Sequence, residues 1–117
     1  MRYRFLRFPG GLAKAVTLSY DDGCRADIRF SETICAHRLK CTFNINSGFT
    51  AEKEDDWHLT RGQIKKYLID TGNEIAVHGK YHLAPGKQPP ICGIRDVLDC
   101  RTELEQEFGM IIRGMAY

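Results

Sequence analysis

Short apolar runs alternate along the chain with segments in which apolar residues recur at helical spacing. The strand-like runs are, in chain order, Ala15–Tyr20, Cys41–Asn46, Glu74–Val77 and a run that begins with Met110–Ile112 and continues to the chain end. The helical patterns between them cover Asp27–Lys40, the segment that follows Thr60 and the segment that ends before Gly109. Strands that alternate with helices in this way predict parallel βαβ units. We therefore expect an α/β fold with about four strands and three helices.

Local signals predict where several of these helices begin and end. Thr60 and Gln63 have the spacing of a capping box, which satisfies free N–H groups at a helix start. Gly72 and Gly109 stand where a glycine typically ends a helix. The segment Pro85–Gly93 is rich in proline and glycine, which predicts a loop between the third strand and the last helix.

Acidic and histidine side chains follow two of the predicted strands. Asp21 and Asp22 come at the end of the first strand, and His78 and His82 follow the third. Because the carboxyl ends of parallel strands share one edge of a sheet, we expect the two pairs to lie on the same rim. A helical turn after the third strand would place both histidines on one face. The alternatives are an Asp-Gly turn that closes a hairpin and two loop histidines that never meet.

One carboxylate and two imidazoles are a sufficient ligand set for a catalytic metal that keeps open positions. We expect Asp22, His78 and His82 to supply these ligands. Two adjacent carboxylates do not easily share a site as anions, so Asp21 is left to accept a proton from water. This pattern predicts metal-assisted hydrolysis of an amide or an ester.

Other candidates carry weaker signals. His37 is expected on the polar side of the first helix, in contact with solvent. His58 follows Trp57, whose ring either stacks on a sugar or forms a hydrophobic plug at the entry of the next helix. The chain has five cysteines and no C-x-x-C pair, which is typical of reduced thiols rather than of a zinc knuckle or a disulfide framework.

Composition narrows the classes of function. A chain of 117 residues is long enough for one modest domain. Its formal net charge of +2 does not indicate nucleic-acid binding. No stretch has the length and apolar character of a signal peptide or a membrane span. As written, the sequence predicts a cytoplasmic protein that binds neither nucleic acid nor membrane.

The two motifs resemble those of the polysaccharide deacetylases with a NodB homology domain, carbohydrate esterase family four. The family motif T-F-D-D-G resembles Ser19–Gly23, and H-(S/T)-x-x-H resembles His78–His82, with Gly79 in place of a hydroxyl residue that braces the loop. The resemblance implies that Asp21 is the catalytic base and that Asp22 and both histidines bind one divalent metal. It further implies zinc, with cobalt, nickel or manganese as alternatives, an acetylated polysaccharide substrate and a distorted (β/α) barrel.

The third family motif, F-R-x-P-Y, is matched only at its opening by Met115–Tyr117, where Ala116 takes the usual place of arginine. The resemblance therefore implies that residues 1–117 are the N-terminal portion of a single catalytic domain, truncated within this motif and active poorly or not at all alone. We expect a partial barrel whose inner face is exposed, and hence self-association or pairing with the missing C-terminal half. Residues expected on this exposed face include Val16, Leu18, Phe43, Ile45 and Val77. The alternative functions are a non-catalytic metal- or carbohydrate-binding module and a purely structural domain.

Overall fold

The structure, a computed structural model, describes residues 7–50 and 57–117 and shows the predicted alternation of strands and helices. The strands are β1 (Ser19–Asp21), β2 (Thr42–Ile45) and β3 (Glu74–Val77). The helices are α1 (Ala26–Ala36), α2, which comprises one α-helical turn (Arg61–Gln63) and a π-helical segment (Ile64–Ile69), and α3 (Pro90–Phe108). Short 3₁₀ turns lie at Pro9–Gly11, Ser47–Phe49 and Pro85–Lys87.

The three strands form a parallel sheet in the order β1-β2-β3. The register pairs Asp21 with Asn44, and Ile45 with Val77. The carboxyl ends of all three strands therefore lie along one edge, which confirms the predicted parallel α/β arrangement and places the ends of β1 and β3 on a common rim.

The predicted fourth strand, from Met110 to the chain end, is wrong, since the sheet has three strands within the part of the chain that the structure describes and the predicted segment adds only an isolated bridge at Met115. Ile112 is buried, and its main-chain N–H donates to the Glu105 side chain at 3.0 Å. Glu105 belongs to α3, so this bond keeps the backbone of Ile112 close to the helix. Ile111, by contrast, is exposed. The apolar run Met110–Ile112 thus stays close to the end of α3 through Ile112 and does not form a strand.

The chain reaches the sheet a few residues later. The main-chain N–H of Val77 donates to the oxygen of Gly114, and the N–H of Ala116 donates to the oxygen of Val77, each at 3.0 Å. These bonds form a single parallel bridge between Val77 and Met115. The backbone around Ala116 is thereby held beside the carboxyl end of β3.

The first strand is shorter than predicted, and the inner face of the sheet is better covered than expected. β1 begins at Ser19, and Val16, before it, is 87% exposed. Phe43, Ile45 and Val77, which we expected on an exposed face, are buried. The exposed apolar face predicted from these residues is therefore wrong at three positions, and self-association remains an untested prediction.

Helix α1 ends earlier than the apolar pattern predicts. It stops at Ala36 because Arg38 adopts a φ of +58°, in the left-handed region that a continuing helix cannot use. Leu39, an apolar residue inside the predicted helix range, is 51% exposed as a result. Within the observed helix, the apolar positions do contact the core: Ile34 is buried and Phe30 packs on the core.

The predicted caps of the later helices are confirmed. Thr60 and Gln63 form a capping box with bonds of 2.9 and 3.2 Å. Gly109 ends α3 with a φ of +63°. The start of α3 lies inside the predicted loop, at Pro90, because proline has no N–H to lose in the first turn of a helix.

The core lies between the sheet and the helices. Its buried members are Ile34, Cys41, Phe43, Ile45, Leu59, Ile64, Leu68, Ile75, Val77, Cys100, Leu104 and Ile112. The face of α3 that packs on the sheet carries Asp96, Cys100 and Leu104. Across the two described ranges, none of the helices combines the length and the apolar character needed to cross a membrane.

Candidate metal centre

Asp22 occupies a tight turn directly after β1. Its φ is +76° and that of Gly23 is +66°, so two successive residues adopt left-handed backbone. A Cβ on Gly23 would lie 2.9 Å from Cδ1 of Ile45, which leaves glycine as the residue that fits. Because β1 pairs in parallel with β2, this Asp-Gly turn does not close a hairpin. It directs the Asp22 side chain to the rim of the sheet.

His78 directly follows β3 and is 4% exposed. Its main-chain N–H donates to the oxygen of Ile45 at 3.0 Å. Its ring nitrogen Nδ1 lies 2.8 Å from the main-chain oxygen of Ala116. A carbonyl oxygen only accepts, so Nδ1 carries the proton and Nε2 presents a lone pair toward the rim.

His82 reaches the same place through a bent loop, and the predicted helical turn is wrong. We call residues 78–82 the histidine loop. Its backbone bends at Gly79, with a φ of +76°, and again at His82, with a φ of +51°. The rings of His78 and His82 meet with centroids 4.7 Å apart, and the His82 side chain is 57% exposed.

The three predicted ligands come together. One donor atom each from Asp22, His78 and His82 lies within 4.8 Å of the other two, and no other such group occurs in the described ranges. Oδ1 of Asp22 is 3.5 Å from Nε2 of His78 and 3.7 Å from Nε2 of His82. Ligands about 2.0–2.1 Å from a tetrahedral ion are about 3.3 Å apart. The donor set and the two distances from Asp22 to the histidines therefore fit a shared cation.

The electrostatics of this cluster favour a positive charge between the side chains. With Nδ1 of His78 protonated, its Nε2 lone pair faces the Asp22 carboxylate oxygen, and two acceptors at 3.5 Å repel each other. A bound cation between the two atoms removes the repulsion. An Asp carboxylate and two imidazoles are ordinary ligands for zinc.

Asp21 lies at the end of β1 and is exposed. Its Oδ1 accepts a hydrogen bond of 2.7 Å from Nδ2 of Asn44, its partner across the sheet. The same Asn44 amide is 2.8 Å from the Ser19 hydroxyl oxygen. Asp21 therefore stands beside the cluster with one carboxylate oxygen fixed from β2, and it is not among the three converging donors.

Two further polar residues near the centre are not among the predicted ligands or the predicted base. Asn46, buried after β2, donates from Nδ2 to the main-chain oxygens of His78 and Gly79 and so holds the start of the histidine loop. Asp27, 2% exposed at the start of α1, accepts from the main-chain N–H of Cys24 at 3.0 Å. Burial raises the pKa of Asp27 to about 6, and the charges of the nearby Asp pair add to the shift. Both are polar residues that the fold buries, and buried polar residues are uncommon enough to indicate a specific role.

An open groove adjoins the cluster. Its lining residues are Asp22, Phe49, Trp57, His58 and His82. An antiparallel bridge between Cys24 and His58 brings the segment before α2 alongside the turn after β1. Trp57 is 63% exposed, so it does not plug the helix entry. The groove thus presents an aromatic surface next to the three donors.

The remaining candidates lie elsewhere. His37 caps the C-terminal end of α1 and is exposed, as predicted. All five cysteines carry free thiols. Burial raises the pKa of Cys41 to about 11 and also raises the pKa of Cys100, which makes both thiols unreactive.

Comparison with known proteins gives the class of fold. No protein-family model matches the chain, and no curated protein matches it by sequence. Among solved structures, the deacetylase PplD of Streptococcus pyogenes, in complex with acetate, is similar over 90% of this chain, with a TM-score of 0.81 and 21% identity. IcaB from Ammonifex degensii is similar over 96% of the chain, with a TM-score of 0.76 and 19% identity.

A third similar structure is Bacillus subtilis PdaA, a family 4 carbohydrate esterase, which matches 85% of the chain with a TM-score of 0.63 and 16% identity. The chain spans 46%, 52% and 39% of these three proteins, about half of their length or less. The predicted resemblance is confirmed at the level of fold: this chain has the fold of the matched portions of these three proteins.

Proposed function

We propose that this chain belongs to a metal-dependent hydrolase that removes acetyl groups from an N- or O-acetylated polysaccharide. The observation that carries the proposal is the convergence of Asp22, His78 and His82, whose donor atoms lie within 4.8 Å of one another at the carboxyl ends of the strands. The fold shared with PplD and PdaA supports it, since one is a deacetylase and the other a carbohydrate esterase.

We propose zinc as the metal, with cobalt, nickel or manganese as alternatives, because the donors are one carboxylate oxygen and two imidazole nitrogens. Asp22, His78 and His82 would hold it. Such an ion, when bound, lowers the pKa of a coordinated water to about 7 and polarises a carbonyl oxygen. The bond between His78 and Ala116 supports this role, because it orients Nε2 toward the rim before any ligand arrives.

Asp21 is the proposed general base. It is adjacent to Asp22 in sequence, and Asn44 holds its Oδ1, which restricts how the carboxylate turns. A base that removes a proton from water must lie within hydrogen-bond reach of that water, directly or through one further water. We propose that Asp21 takes the proton of the attacking water while Asp22 serves the metal.

The substrate would lie in the groove beside the cluster. Trp57 and Phe49 line it together with two of the proposed ligands. An exposed indole presents an apolar face and a polar N–H, which suits a sugar ring with its apolar face and hydroxyl rim. The same groove favours one alternative function, a carbohydrate-binding module that retains the Asp-His-His group without catalysis.

Acetate release separates the two functions. The chain, completed with the C-terminal half that the family resemblance implies, is loaded with zinc and incubated with acetylated chitin oligosaccharides, peptidoglycan and acetylated xylan, and free acetate is measured at a sensitivity that detects slow turnover. Asp21→Asn is the matched control, because it keeps all three proposed ligands. Release by the parent that falls at least about 100-fold in the control supports the deacetylase. Zinc and sugar binding with no acetate released supports the binding module instead.

A further inference from the structure

Gly79, in the histidine loop, leaves space for a side chain that comes from another element. A Cβ at this position would lie 2.2 Å from Oδ2 of Asp96 and 2.9 Å from the hydroxyl oxygen of Tyr117. Contacts that short do not occur, so the Asp96 carboxylate fills the place where residue 79 would carry its own side chain. No side chain at position 79 supports the loop; the Asp96 side chain of α3 occupies that place instead.

Asp96 bonds to the two residues that lie between Gly79 and His82. Its main-chain oxygen accepts from the N–H of Lys80 at 3.1 Å, and its Oδ1 accepts from the N–H of Tyr81 at 2.9 Å. Its Oδ2 accepts from the Tyr117 hydroxyl at 3.3 Å. One residue thus fixes two successive backbone N–H groups directly before His82.

The position of Asp96 in α3 is unusual for a residue with a purely structural role. Asp96, Cys100 and Leu104 are four residues apart and form the buried face of the helix, where an apolar side chain is the ordinary choice. Asp96 is 4% exposed. Burying a carboxylate costs free energy unless hydrogen bonds compensate, and residues that break the local pattern in this way are often tied to function.

The two histidines depend on different supports. His78 continues β3, and its ring is bonded to Ala116. Asn46 holds the main-chain oxygens of His78 and Gly79. His82 lies beyond these supports, with a φ of +51° and an exposed side chain. The bonds of Asp96 fall between the fixed start of the loop and His82.

We propose that Asp96 is a positioning residue that sets the placement of His82, and through it the affinity of the Asp22–His78–His82 group for a divalent cation. The inference rests on the metal site of the proposed function, but not on the reaction. Gly79 is the complementary part of the arrangement, because any side chain there would displace the carboxylate.

The test is a double-mutant cycle with Co²⁺ as the probe, followed by its visible absorption. Asp96→Ala is expected to weaken Co²⁺ binding about 10- to 100-fold, the range for partners that orient a ligand. In the His82→Ala background the same substitution is expected to change affinity less than about twofold. Asp99→Ala, an exposed acid of the same helix, is the matched control and should bind as the parent does.

Unchanged binding by Asp96→Ala, or an equal loss in both backgrounds, would overturn the positioning role, because a general loss of stability does not depend on His82. If Asp96→Ala does not fold, as judged by circular dichroism, Asp96→Asn is carried through the same cycle, with a smaller loss expected and the same dependence on His82. A parent that binds no Co²⁺ would overturn the metal site itself. None of these outcomes requires acetate release. Failure of the proposed reaction would appear in the acetate assay and not in the Co²⁺ titrations.

Discussion

Nδ1 of His78 donates a hydrogen bond of 2.8 Å to the main-chain oxygen of Ala116. The two residues are 38 positions apart, and the contact exists because Gly114 and Ala116 pair with Val77, the residue before His78. Acceptance of the Nδ1 proton by a backbone carbonyl fixes the tautomer of the ring and leaves the Nε2 lone pair for a metal.

The bond uses the main-chain oxygen of residue 116, so it should orient His78 whatever side chain that residue carries. We expect Ala116→Ser to bind zinc as the parent does. Gly114→Val should weaken binding about tenfold, because a Cβ at 114 already lies 3.0 Å from Cβ of Ala76 and a larger side chain would push the segment off β3. Isothermal titration of both variants checks this. Loss of zinc in Ala116→Ser alone would contradict the backbone role.

Substitutions of the two adjacent carboxylates, Asp21 and Asp22, should have different effects. Asp21→Asn is expected to keep zinc, since its amide oxygen can still accept from Asn44. In the chain completed with its C-terminal half, acetate release should fall by at least about 100-fold. Asp22→Asn is expected to weaken zinc itself. Zinc titrations and acetate assays on both variants give the comparison, and equal zinc loss in the two would mean that the ligand has been assigned to the wrong residue.

Stability should depend on pH through Asp27. Burial raises its folded-state pKa from 3.8 to about 6, so between these values the folded chain binds more protons than the unfolded chain. Stability then falls as pH rises from about 4 to about 6, by up to about 3 kcal/mol. Asp27→Asn, which can still accept from Cys24, should remove this decline. Urea unfolding of chelator-treated protein at pH 4 and pH 7 measures this decline in the free energy of unfolding. An equal change between the two pH values in parent and variant would contradict the prediction.

Trp57 should affect substrate binding more than turnover. Trp57→Ala is expected to raise KM for acetylated oligosaccharides about threefold to tenfold, the scale of one aromatic contact, with little change in kcat. Trp57→Phe retains a ring and should recover part of the loss. An unchanged KM in Trp57→Ala would place the sugar outside the groove.

Much of the frame was predictable because local rules determine it. The bounds of β3 at Glu74–Val77, the capping box at Thr60 and the end of α3 at Gly109 follow from short-range pattern and backbone sterics. The common rim of Asp22 and the histidines follows from parallel pairing alone. These predictions needed no knowledge of distant contacts.

What was missed depends on tertiary packing. The apolar run at Met110–Ile112 has strand character, but Ile112 packs beside α3 through its bond to Glu105. Asp96 could have been noticed as an acid four residues before Cys100 on an otherwise buried face, yet its partners in the histidine loop come from 15 or more residues away. The bend at Gly79 also replaces the helical turn expected from the histidine spacing.

The central claim is that Asp22, His78 and His82 hold one divalent metal, and zinc titration of the chain tests it most directly. We expect one zinc per chain. Single substitutions Asp22→Asn, His78→Ala and His82→Ala should each weaken binding by at least about 100-fold, the upper range for outer partners of a metal site. His37→Ala, an exposed histidine at the end of α1, should bind as the parent does. Zinc bound as tightly by His82→Ala as by the parent would contradict the account.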